Sequence, residues 1–146
     1  MKKNIIALFV GIIVLLFVYF SKEGKSVVNR EALEDLNLQL TGVVRRTDDP
    51  GNFNGTGIAG LKIISSNIEN YDPRGKQEYY YCIIKNGEAE IYDSHVNFMS
   101  LGDTVVIDTK NRVIKYKSNN KEVEGNIFVN TSERFYDYIK KHHQKL

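Results

Sequence analysis

Asn86 and Gly87 join two β-rich runs, Tyr79 to Lys85 and Glu88 to Asp93, and this junction constrains the fold more than any other feature of the chain. Both central residues of a type I′ turn need positive φ, which asparagine and glycine tolerate, and the turn matches the right-handed twist of the strands it joins. The register follows directly. Lys85 faces Glu88, Ile83 faces Glu90 and Tyr81 faces Tyr92 on one side, while Ile84 faces Ala89 and Cys82 faces Ile91 on the other. The second side is small and aliphatic, which predicts Cys82, Ile84, Ala89 and Ile91 in the core. The first is charged and aromatic. Tyr79, Tyr81, Ile83 and Tyr92 there make a candidate binding face, unless a C-terminal helix covers it.

Period-two alternation recurs on both sides of this hairpin. Leu38, Leu40, Gly42 and Val44 alternate with Gln39, Thr41, Val43 and Arg45, the pattern of a half-buried strand. Asp48 to Gly60 has loop composition, and a second strand is expected over Leu61 to Ser65. Leu101, Gly102 and Asp103 turn into Thr104 to Asp108. Lys110 and Asn111 then return the chain through Arg112 to Lys117, which puts Val105, Ile107, Ile114 and Tyr116 on one face. Val123 and Ile127 to Val129 can add an edge strand. Asn29 can cap a short helix ending near Leu36, a spacer or lid. Asn130 or Thr131, with Glu133, predicts the start of a terminal helix whose stripe is Phe135, Tyr138, Ile139 and His142.

Five or six strands at hairpin spacing with glycine-rich turns predict a mainly β fold, a small OB-like or, second, SH3-like barrel. The long first strand, the Gly102-Asp103 turn before Thr104 and Val105, and the late hairpin resemble small bacterial envelope proteins with an amino-terminal anchor and an OB-like exported domain. That resemblance spans Leu38 to Lys117 as a pattern of hydrophobicity and turns. It implies a fold and an envelope address, and no activity.

The address has its own signal. Ile5 to Phe20 is unbroken apolar sequence behind Lys2 and Lys3, which predicts a transmembrane anchor with its amino terminus in the cytoplasm. The alternative is a cleaved signal peptide and secretion. The expected division is residues 1–21 as anchor, 22–37 as juxtamembrane linker with a short helix, 38–129 as barrel and 130–146 as C-terminal helix. Lys2 and Lys3 also account for the formal charge of +2, so the remainder of the chain is formally neutral. A nucleic-acid binder would carry a basic excess, so that class is disfavoured. With one cysteine in 146 residues no intrachain disulfide forms, and the fold stands on its core alone.

No motif asks for a cofactor. Gly55, Gly57 and Gly60 match G-x-G-x-x-G, but a loop precedes them and a strand follows, the reverse of a dinucleotide-binding turn. A ligand sensor built on this loop is one alternative function. Cys82 with His95 and an arginine invites comparison with sortases, yet the order is inverted and no TLxTC motif is present. The other alternative is therefore a small envelope enzyme using Cys82 and His95. Asp48, Asp49 and Asn52 lack the spacing of a calcium loop, and His142 with His143 point about 100° apart on a helix, the pattern of a solvated tail rather than a metal face. The leading expectation is a non-enzymatic, membrane-tethered module that binds an envelope protein through barrel loops or the Tyr79, Tyr81, Ile83 and Tyr92 face.

Overall fold

A computed structural model describes residues 10–16, 31–51, 53, 55–118 and 121–143. Seven strands, β1 (Gln39–Asp48), β2 (Gly57–Ser66), β3 (Cys82–Lys85), β4 (Glu88–Asp93), β5 (Thr104–Asp108), β6 (Val113–Ser118) and β7 (Lys121–Asn126), precede a helix, α1 (Glu133–His142). All pair antiparallel, in the order β3-β4-β2-β1-β5-β6-β7. The β3–β4 hairpin has the register set by Asn86 and Gly87, at φ 55° and 76°. The β5–β6 hairpin pairs Val105 with Tyr116 and Ile107 with Ile114, all buried.

The sheet is open, which corrects the expectation of an OB-like or SH3-like barrel of five or six strands. Hairpin spacing is common to meanders and barrels, and closure is decided at the edges. The free edge of β3 is taken by a bridge to Tyr71, whose N–H donates to the Ile84 carbonyl at 2.9 Å and whose carbonyl accepts from Ile84 at 2.8 Å. At the far edge, β7 is charged and contains Gly125 and so discourages further pairing.

The expected anchor over Ile5–Phe20 is also corrected: among the described residues no helix is long and apolar enough to cross a membrane. Of that run the described residues are 10–16, which are helical. Residues 5–9 and 17–20 of the run lie outside the described residues. The single-pass inner-membrane location rested on that span and is not supported.

The two faces of the sheet are buried differently. The inner face gathers Leu40, Val44, Ala59, Leu61, Ile91 and Ile114 with their neighbours into the main core. Residues 31–36 are helical and close part of it through Leu33 and Leu36, so this short helix is a core element rather than a spacer or lid. On the outer face, α1 lays Phe135, Tyr136 and Ile139 over Ile58, Ile83 and Tyr92. The buried stripe thus includes Tyr136 and continues to His143, whereas the sequence pointed to His142. Ser132 is the N-cap, and its N–H donates to Asn130 Oδ1 at 2.8 Å.

Candidate functional site

Two bulges decide what the outer face presents. Thr41 pairs with Ser65 and Gly42 with Ile63, so Ile64 is an extra residue in β2; Val44 pairs with Leu61 and Arg46 with Gly60, so Arg45 is an extra residue in β1. Strict alternation would send Arg46 inward beside Val44. The bulge turns it outward instead, into a row with Gly60 and Glu90, which pair across β2 and β4. Gly60 and Gly57 are therefore strand residues, which corrects their reading as a glycine loop. A Cβ at Gly60 would stand 2.6 Å from Arg46 Cγ and Nε, and one at Gly57 would stand 2.8 Å from Val96 Cβ. Both glycines serve close approach, and the alternative of a nucleotide or ligand loop loses its geometry.

Beneath the end of α1 lies a charged network. Glu90 has no solvent exposure and pairs through Oε2 with the Arg46 guanidinium. The Tyr92 hydroxyl donates to Glu90 Oε1 at 2.8 Å. The His143 ring faces two carboxylates, Nδ1 3.3 Å from Glu90 Oε2 and Nε2 3.0 Å from Asp48 Oδ2. Tyr138 donates to the same Asp48 oxygen at 2.8 Å. Burial, with the Glu90 charge adding to it, pushes the Tyr92 hydroxyl far above the usual phenol range. His143 is buried rather than part of a solvated tail.

A second polar cluster closes the inner core. Buried Asp93 accepts from the Tyr81 hydroxyl at 2.9 Å, from the His95 backbone N–H at 2.8 Å, and meets His95 Nδ1 at 2.6 Å. The hydrogen bond to Asp93 raises the His95 pKa above its ordinary value. The His95 ring packs on Tyr116 and lies over Gly125, where a Cβ would collide with it. Cys82 lies fully buried on the inner face, and burial pushes its thiol up to about 12. No hydrogen bond or ion pair joins Cys82 to His95 among the described residues.

The four residues expected to form an exposed aromatic face are all buried. Tyr79, Ile83 and Tyr92 come together under α1, joined by Tyr80 and Tyr136, while Tyr81 turns to the inner face. Tyr80 N–H donates to the Tyr136 hydroxyl at 2.9 Å, and that hydroxyl donates to the Tyr80 carbonyl at 2.7 Å. Among the described residues no group of three or more His, Cys, Asp or Glu is placed to hold a metal ion. Asp49 accepts from Gly51 N–H at 2.9 Å, and Asn52 of the considered cation loop lies outside the described residues.

The accessible part of the outer face is the half that α1 leaves uncovered. Thr41 is flanked there by Ser65 in β2 and Val106 in β5. Ile64 is 63% exposed and Val106 42%. Two shallow concavities, of about 570 Å³ beside Thr41 and Val106 and about 550 Å³ beside Ile64 and Glu69, share Ser65 and Ser66. Neither is lined by a basic side chain, and Asp108 and Glu69 give each an acidic residue. No signal in the alternation marks this half, because period two says which residues point outward and not what covers them. No protein-family model, curated protein or solved structure matches the chain.

Proposed function

We propose that the chain is a non-enzymatic binding module that recognises a protein partner through the uncovered half of its outer sheet face. The observation that carries this reading is the exposure of Ile64 and Val106 on either side of the Thr41–Ser65 pair, with Lys62 and Lys115 at the neighbouring sheet positions. Apolar centres ringed by polar groups are the usual anatomy of a protein-recognition patch. Asp108 and Glu69 line the two concavities while Lys62 and Lys115 flank the apolar positions, so the patch carries both signs of charge and suits an extended partner segment with an apolar side chain among polar ones.

The test is a double substitution, Ile64→Lys with Val106→Lys, compared with the parent by chemical crosslinking in cells. Surface changes of this kind alter stability by about 0.5 kcal/mol or less. A complex seen with the parent and lost with a folded double variant supports the reading. A complex that persists refutes it.

A further inference from the structure

We propose that Asn86 is a self-modification site, at which the β3–β4 turn converts its own asparagine to aspartate and isoaspartate through a cyclic imide closed by the Gly87 nitrogen. The turn leaves both reacting groups free. Asn86 and Gly87 are exposed, at φ 55° and 76°. In a two-residue turn the ladder closes between Lys85 and Glu88, so the Gly87 N–H falls outside it. Among the described residues neither that N–H nor the Asn86 side-chain amide makes a hydrogen bond, while the Gly87 carbonyl accepts from the Ile63 N–H at 2.9 Å. Glycine also places no Cβ beside the nitrogen to hinder its attack.

Three other asparagines are engaged. Asn67 Nδ2 donates to the Asn37 carbonyl at 2.7 Å, Asn111 Nδ2 to Asp108 Oδ2 at 2.8 Å and Asn130 Nδ2 to Thr56 Oγ1 at 2.9 Å. Each also precedes a residue with a bulky side chain, Ile68, Arg112 and Thr131. The chain has one further Asn-Gly pair, Asn54 with Gly55, and Asn54 lies outside the described residues.

The reaction consumes water and no other reactant. Solvent base removes the Gly87 amide proton, and the nitrogen attacks Asn86 Cγ, to which the chain already tethers it, so the step is intramolecular. The new N–Cγ bond closes a five-membered succinimide. The Cγ–Nδ2 bond breaks, and the side-chain nitrogen leaves as ammonia with a proton from solvent. Water then opens the ring at either carbonyl. Opening at Cγ gives aspartate; opening at the Asn86 main-chain carbonyl gives isoaspartate, whose backbone runs through Cβ and is one methylene longer.

Both products place a new carboxylate on the concavity of about 550 Å³ that Asn86 and Gly87 share with Ile64 and Glu69. Isoaspartate does more. A longer turn no longer matches the Lys85–Glu88 pairing that fixes the β3–β4 register, and it shifts the Gly87 carbonyl away from Ile63. The conversion needs only this turn and water, so it holds whether or not the uncovered half of the sheet binds a partner.

The experiment incubates the folded full chain at pH 7.4 and at pH 9 in water enriched in heavy oxygen. Each asparagine is then mapped by mass spectrometry, with fragmentation that separates aspartate from isoaspartate. Heavy oxygen in the new carboxylate marks conversion during incubation rather than during digestion. Both isomers should accumulate at Asn86, several-fold faster at pH 9 because the attacking nitrogen must first lose its proton, with Asn67, Asn111 and Asn130 unchanged. An unconverted Asn86, aspartate without isoaspartate, a rate indifferent to pH, or equal conversion at the three comparison asparagines overturns the proposal. The isoaspartyl fraction, resolved by chromatography, should melt below Asn86→Asp, which has the same charge on a normal backbone. Equal midpoints would overturn the effect on the turn.

Discussion

Arg46 and Glu90 form an ion pair although their strands are not neighbours. β2 runs between β1 and β4, and the guanidinium crosses it over Gly60, where no side chain stands in the way. A bulge at Arg45, a glycine in the intervening strand and a buried carboxylate thus act as one device that brings a cation to the base of α1.

Gly60→Ala tests that device. The new methyl group would meet the Arg46 side chain at 2.6 Å and displace it from Glu90, leaving a carboxylate without solvent contact and short of a donor. The expected cost is about 1–3 kcal/mol, read as a lower urea midpoint. An unchanged midpoint would show that Arg46 reaches Glu90 by another route or contributes nothing.

His95 gives the fold a pH dependence of defined sign. Its hydrogen bond to Asp93 raises its pKa above 6.5 in the folded chain, so its stabilising contribution is complete below about pH 6.5 and disappears as pH rises through the folded value. The stability difference between the parent and His95→Gln should be larger at pH 5.5 than at pH 8.5 in paired urea titrations. A difference that grows with pH would contradict the Asp93 pairing.

Cys82 should behave as a buried apolar residue. With no solvent exposure and a thiol held near 12 by burial, it should remain unlabelled by iodoacetamide at pH 7.5 in the native chain and label rapidly in urea. Labelling of the folded protein would reopen the enzymatic alternative.

Gly87→Val places a β-branched residue at φ 76°. Left-handed backbone costs a residue with a side chain about 1–2 kcal/mol, and a β-branched one more than an unbranched one. A thermal midpoint equal to that of the parent would remove the type I′ turn from the account.

Local chemistry made the hairpin registers legible in the sequence. Asn86 and Gly87 admit one tight turn, and the alternation of Val105, Ile107, Ile114 and Tyr116 admits one inward face. The bulges at Arg45 and Ile64 were not legible, because an extra residue leaves composition unchanged and only inverts the alternation beyond it. Alternation continued past Val44 would put Arg46 inward, where the bulge instead turns it outward. His143 was closer to reach: Phe135, Ile139 and His143 follow at four-residue intervals, and the stripe through His142 differs by one position of helix rotation. Openness of the sheet depended on the bridge from Tyr71 to β3, a contact between segments with no shared pattern. The candidate aromatic face failed for a related reason, since strand periodicity marks a side as outward and is silent on whether a helix returns to cover it.

Photo-crosslinking residues placed one at a time at Thr41, Val43, Ile64 and Val106, and for comparison at Phe98, Leu101 and Phe128, test the central claim most directly when the full chain is irradiated in cells. Phe98, Leu101 and Phe128 are also exposed apolar positions, so the comparison separates this face from general stickiness. The account predicts one discrete adduct shared by the first group and absent from the second. Adducts confined to the second group, or none from Ile64 and Val106, would contradict recognition through the uncovered half of the sheet.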